Sequence, residues 1–229
     1  MGDTNSLSQS PLTSRQRWLS LAELVLGGLI VVGHNVYHKI PNEVPILFVL
    51  GWISIHLRNG GWKNIGLTRP KSWWQAVLAA MAAAAILQLG GEIVVNPITA
   101  RIWHRAPDVS TVFTDLKFNV KEAVKALALI WTFAAFGEEM GYRGYLLNRA
   151  AEVGNRTKFA YAAALVVSSV LFGYGHYYKG PAGIVESSYS GLVLGSAYLL
   201  AGRNLWVPIL AHGISDTFAV VMVFFGWAN

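Results

Sequence analysis

The chain has 229 residues, 54% of them hydrophobic and only 13% charged, where a soluble domain carries about 25% charged residues; this is the balance of an integral membrane protein. The net charge of +6 does not point to nucleic acid, because the basic residues fall in short connections between apolar runs rather than in one patch. The absence of cysteine excludes a disulfide framework, a thiolate metal site and a cysteine nucleophile.

Residues 1–16 are mostly small and polar and are expected to form a disordered cytoplasmic N-terminus. About 20 mainly apolar residues cross a bilayer as a helix, and on that measure the chain divides into six clear spans and one short one. The first runs from Arg17 to Tyr37, is long for a signal-peptide core and lacks a small-residue cleavage site, so it is read as retained. The short segment, Val44 to Leu57, is either re-entrant or tilted. The third span, Trp73 to Val95, opens on a tryptophan pair suited to the membrane interface. From Asn96 to Val120 the residues Pro97, Arg101, His104, Arg105, Pro107 and Asp108 are too polar to cross and read as an external loop, with or without an interfacial helix in it. Asn119 with Glu122 resembles a capping box that starts the fourth helix, which runs to about Ala151. The remaining spans are Ala160 to Tyr177, Ile184 to Leu200 and Leu205 to Trp227. The expected fold is an all-α, polytopic transmembrane bundle of six to seven spans with a buried polar active site. Residues 17–121 form its N-terminal helices and loops, and 122–229 its catalytic core. A cytoplasmic N-terminus puts ten Lys and Arg residues inside, Arg58, Arg149 and Arg203 among them, against five outside.

Three polar insertions into apolar helices carry the chemistry. The first, FGEEMGYRGYLL, holds Glu138, Glu139 and Arg143. Glu139 and Arg143 are four apart and share a helix face, where each holds the other charged; Glu138 then faces elsewhere. The second, LFGYGHYY, holds His176, and the third, PILAHGISDTF, holds His212 and Asp216, again four apart. Ionisable groups at membrane depth cost several kcal/mol unless paired or hydrated, so they mark a functional site by default. A structural ion-pair network would use the same residues. As a chemical set they can bind and deprotonate water in two ways. In one, Glu138, His176 and His212, with or without Asp216, ligate zinc. In the other, Glu138 and His176 activate water directly while His212 donates to an oxyanion. The aromatic residues Phe172, Tyr174, Tyr177 and Tyr178 around His176 would suit a substrate groove. Glu23, Gln88, Glu92 and Glu186 are further polar residues in or near spans, and Glu186 is expected to come nearest the site. HExxH is absent, the spans hold a single aspartate, and no serine lies in a nucleophile elbow.

EExxxR at Glu138, Glu139 and Arg143, FxxxH at Phe172 and His176, and HxxxD at His212 and Asp216, in that order on separate helices, resemble the CPBP family. That family holds the CAAX prenyl endopeptidases of the Ras-converting type with the bacteriocin-processing and lysostaphin-resistance proteins. The resemblance implies an intramembrane endopeptidase, commonly described as metal-dependent, in which Glu138 and His176 activate water and Glu139 and Arg143 support the first acid. His212 with residue 216 would stabilise the oxyanion; the family commonly has asparagine there, whereas this chain has Asp216. The implied partners are the lipid bilayer and a peptide or lipidated protein entering from the membrane, and the implied location is a bacterial cytoplasmic membrane. Two other readings of the same residues are a non-catalytic immunity or scaffold protein and a proton-coupled transporter.

Overall fold

The structure, a computed structural model, describes residues 11–103 and 115–227. Every regular element among them is helical. Helix α1 (Ser14–Asn35) starts inside the stretch expected to be disordered, because Thr13 and Gln16 form a reciprocal capping box that satisfies the first turn's amides. Residues 1–10 lie outside the described residues. Helix α2 (Glu43–Asn59) is capped by Asn42 and stopped by Gly60 in the left-handed conformation, and a 3₁₀ turn, Trp62–Ile65, follows.

Helix α3 (Trp73–Trp103) is longer than expected. It passes through a π-wound turn, Gly91–Val95, and continues over Asn96–Trp103, the start of the stretch read as an external loop with or without an interfacial helix. Pro97 follows directly after the π turn, a local change of winding that lets a helix carry a proline. The rest of the expected loop, from His104 to Thr114, lies outside the described residues. Helix α4, residues 120–153, is capped by Asn119 as the sequence indicates. Its middle, Ile130–Leu147, is wound as a π-helix between two α-helical ends. Helices α5 (Lys158–Tyr174) and α6 (Gly180–Leu200) are joined by a short 3₁₀ turn, and α7 (Trp206–Phe224) closes the bundle.

Among the described residues, α1, α3 and α7 are long and apolar enough to cross a membrane, and a fourth crossing is counted if α5 and Tyr177–Leu200 form one broken span or re-entrant loop. The expected six to seven spans are not reached on this measure. Helix α2 has only 17 residues, and the middle of α4 carries Glu138, Glu139 and Arg143.

Helix α4 is the axis of the fold: every residue from Glu139 to Leu147 is buried, as expected for a helix packed on all sides. Its Met140, Tyr142, Tyr145 and Leu146 share one core with Val31 of α1, Leu47 and Ile55 of α2, Phe172 of α5, Tyr198 of α6 and Ile209 of α7. Gly141 and Gly144 make this possible, since a Cβ there would meet Leu47 at 3.3 Å and Trp62 at 2.9 Å. Helix α6 packs on α5, with Gly173 against Ile184 and Ser188, and Gly191 against Ser169. At one end of α4 five charges interlock. Glu23 of α1 meets Arg149 at 2.8 Å and Arg58 of α2 at 2.6 Å, and Glu152 meets Arg149, Arg58 and Arg156 at 2.9, 3.1 and 2.7 Å. Arg149, expected as a surface topology charge, is therefore a buried member of this cluster.

Candidate active site

Helices α4 and α7 and the turn just after α5 supply the six polar residues singled out in the sequence, and three of them, Arg143, His176 and His212, gather around the ring of Phe172. The Arg143 guanidinium lies 4.4 Å from the centre of that ring. The His176 ring is 4.9 Å from it, the Tyr142 ring 5.0 Å and the His212 ring 6.2 Å. FxxxH thus spans one turn of chain at the end of α5 and delivers both its aromatic and its histidine to the same place.

Glu139 is completely buried, and one of its oxygens, Oε1, accepts twice: from Arg143 Nη1 at 2.7 Å and from His212 Nδ1 at 2.9 Å. The expected Glu139–Arg143 pair is present, and it is also the clamp that ties α4 to α7. Arg143 Nη2 donates to the carbonyl oxygen of Gly191 on α6 at 3.3 Å. That glycine lets α6 lie against α5, with a notional Cβ only 2.7 Å from Ser169 Cα. His212 Nε2 lies 3.5 Å from Asp216 Oδ2, longer than an ordinary hydrogen bond. His176 Nδ1 is 2.9 Å from the carbonyl oxygen of Phe172. A carbonyl only accepts, so Nδ1 is the donor and the neutral imidazole presents Nε2 as an acceptor.

Glu138 behaves differently from its neighbour. Its Oε2 is buried with no hydrogen-bond partner in the protein, and so are Glu139 Oε2 and the Tyr142 hydroxyl. Buried polar atoms are rarely left unpaired, and here three of them lie within five consecutive residues. The charges acting on Glu138 are His212, Asp216, Glu139 and Arg143, and those acting on His176 are Lys179, His212 and Asp216. The six residues therefore form one electrostatic neighbourhood rather than three separate pairs.

The π winding of α4 has no counterpart in the sequence reading. It changes the angular step between Glu138 and Glu139, and π segments often coincide with functional sites. The Glu139–His212 contact, between residues 73 apart in the chain, has no local signal. Tyr142, an unspecified position inside EExxxR, and Glu43 at the start of α2 were also missed. A Cβ on Gly175 would stand 2.7 Å from the Tyr142 hydroxyl and 3.4 Å from Glu43 Oε1, so these two groups flank the same small gap. Glu43 also faces His34, at 3.4 Å. Glu186, expected near the site, has Lys179 and Glu92 as its charged neighbours instead. Of the aromatics expected to line a groove, Phe172 is buried, Tyr174, Tyr177 and Tyr178 are exposed, and the Tyr178 ring is 6.0 Å from that of His176.

Among the described residues no group of three or more His, Cys, Asp or Glu side chains is arranged to hold a metal ion. Both nitrogens of His212 face carboxylates, Nδ1 toward Glu139 at 2.9 Å and Nε2 toward Asp216 at 3.5 Å.

Neither the curated proteins nor the solved structures contain a match to this chain. A family model does match, over residues 121–218, and its description is type II CAAX prenyl endopeptidase Rce1-like. The matched stretch is somewhat under half of the chain, opens at the start of α4 and closes just after Asp216, so it contains all three motifs. By motif and by match, this integral membrane protein carries an Rce1-like segment of the kind found in CPBP-family CAAX proteases.

Proposed function

We propose that the protein is an intramembrane endopeptidase that hydrolyses a peptide bond of a membrane-associated or lipidated protein, with water activated by Glu138 and His176. The observation that carries this reading is the buried, unpartnered Oε2 of Glu138 beside a clamped Arg143–Glu139–His212 chain. Glu138 takes a proton from water, helped by Nε2 of His176, and the hydroxide adds to the carbonyl carbon of the scissile bond. His212 carries the oxyanion. Its two carboxylate partners accept only, so engaging both requires a hydrogen on each nitrogen. The N–H toward Asp216, held loosely at 3.5 Å, is the one free to turn to the substrate oxygen. Collapse of the tetrahedral intermediate breaks the C–N bond, and the leaving amine receives the proton held by Glu138. Glu139 and Arg143 are positioning residues that fix His212, and Asp216 orients its outer nitrogen. The distribution of Lys and Arg favours a cytoplasmic N-terminus, and a bacterial cytoplasmic membrane is the proposed location.

The donor geometry supports a direct mechanism, so no step is routed through a metal. The test is cleavage of a lipidated peptide by purified protein, before and after chelation, in wild type and in Glu138→Ala and His212→Ala. Loss of cleavage in both variants with normal membrane insertion, and no effect of chelation on wild type, is the expected result. Zinc in the purified protein with activity lost on chelation would restore the metal mechanism. Unchanged biological activity in both variants would instead mean a scaffold.

A further inference from the structure

One cavity lies away from the six site residues. It has a volume of about 570 Å³ and is lined by the α2–α3 connection, the first turns of α3 and the α6–α7 connection. Lys63, Arg69, Lys71 and Arg203 all line it, and neither aspartate nor glutamate does. None of these four cations forms a salt bridge among the described residues. Four unneutralised positive charges around one cavity repel one another, so the arrangement is stabilised when an anion enters.

The walls are built rather than draped. Leu205 N donates to the carbonyl oxygen of Gly66 at 3.0 Å, Asn204 Nδ2 to that of Thr68 at 3.1 Å, and the Tyr198 hydroxyl to that of Ile65 at 2.7 Å. Gly66, at φ 107°, presses so closely on the backbone of Arg203 that no side chain fits there. Arg203 itself adopts the left-handed conformation, φ 63°, and is steadied by a 2.7 Å hydrogen bond to the Tyr161 hydroxyl. The cavity also takes in the start of α3, where Ser72 caps and Gln75 lies in the first turn. Beside it Trp73 and Trp74 are exposed, as side chains at a membrane–water interface commonly are.

From this arrangement we infer a binding site for the phosphate of an anionic phospholipid headgroup, held by Lys63, Arg69, Lys71 and Arg203 at the interfacial end of α3. The cations sit where the headgroups of a bilayer lie if the tryptophans mark its edge, and basic pockets at helix ends recognise such headgroups. The site is distinct from the proposed hydrolytic centre. Val207, which lines it, precedes His212 by five residues, about 7.5 Å along α7.

The test uses the full chain in nanodiscs of phosphatidylcholine with increasing phosphatidylglycerol, counting retained phosphatidylglycerol by mass spectrometry and following the thermal midpoint. The triple variant Lys63→Gln/Arg69→Gln/Lys71→Gln removes three exposed cations. A control, Lys39→Gln/Lys121→Gln/Lys158→Gln, removes as many exposed cations elsewhere. Lipid retention is expected to weaken by about fivefold for each pocket cation removed and to stay close to wild type in the control. The midpoint of the pocket variant in pure phosphatidylcholine should match wild type, which establishes that it folds. Equal weakening in the two variants would overturn the site in favour of diffuse surface attraction. A midpoint rise with inorganic phosphate in phosphatidylcholine discs, equal to that with phosphatidylglycerol, would overturn the lipid in favour of a soluble phosphate ligand.

Discussion

The two adjacent glutamates are expected to answer the same isosteric substitution in opposite ways. Glu139→Gln removes the charge that compensates Arg143, which is 1% exposed, and weakens the hold on His212, which is 8% exposed. Breaking one side of a buried pair costs about 3–5 kcal/mol. Glutamine keeps an acceptor oxygen, which argues for the lower end, about 3 kcal/mol. Glu138→Gln breaks no protein hydrogen bond at Oε2 and removes a charge that is buried without a partner there, so stability should not fall. Its effect falls on the reaction instead, where loss of a general base costs about 10²–10⁴ in rate. Denaturation followed by fluorescence of the nine tryptophans, run beside cleavage of a lipidated peptide, measures both quantities on one preparation. A Glu138→Gln protein as unstable as Glu139→Gln, or one that still cleaves at the wild-type rate, would refute the division of labour.

The loose His212–Asp216 contact makes a milder prediction. Asp216→Asn should retain cleavage within about tenfold, because an amide both accepts from His212 and donates to an oxyanion, whereas Asp216→Ala should lose about 10². A single-turnover assay showing the asparagine variant to be the worse of the two would reverse the assigned role. Gly191→Ala forces a Cβ to within 2.7 Å of Ser169 Cα, so α5 and α6 must part, at about 1–3 kcal/mol, and the Arg143–Gly191 bond lengthens with them. A lowered thermal midpoint is expected, and an unchanged one would show that the two helices are not in tight contact.

What the sequence discloses and what it withholds divide by distance along the chain. Glu139 with Arg143 and Asn119 with Glu122 are separated by a single helical turn, so spacing alone announces them. His212 and Asp216 share a face for the same reason, although their contact is long. The link that unites the site, Glu139 to His212, joins α4 to α7, and no periodicity reports on it. The π winding of Ile130–Leu147 is equally silent, because its residues are as apolar as those of an α-helix. At Asn96–Trp103 a proline and Arg101 suggested a loop or an interfacial helix, and the chain continues α3 as helix after a change of winding. The expected six to seven spans equate each apolar run with a crossing, and among the described residues length and apolarity give three or four. Helix α2 shows that such a run can end at 17 residues, and α5 with α6 that two such runs can form one broken segment.

The charged knot at the end of α4 bears on which part of the chain folds as a unit. Arg149 and Glu152 lie inside the stretch that the Rce1-like description covers, but Glu23 and Arg58, which engage them, come from well upstream of it. A polypeptide cut down to residues 121–218 would keep every side chain of the proposed site while taking Glu23 and Ser54 away from the buried Arg149, and would leave Glu152 to meet both Arg149 and Arg156. The part that is recognisable is thus not a part that stands alone, and the first two helices are as much its foundation as its neighbours.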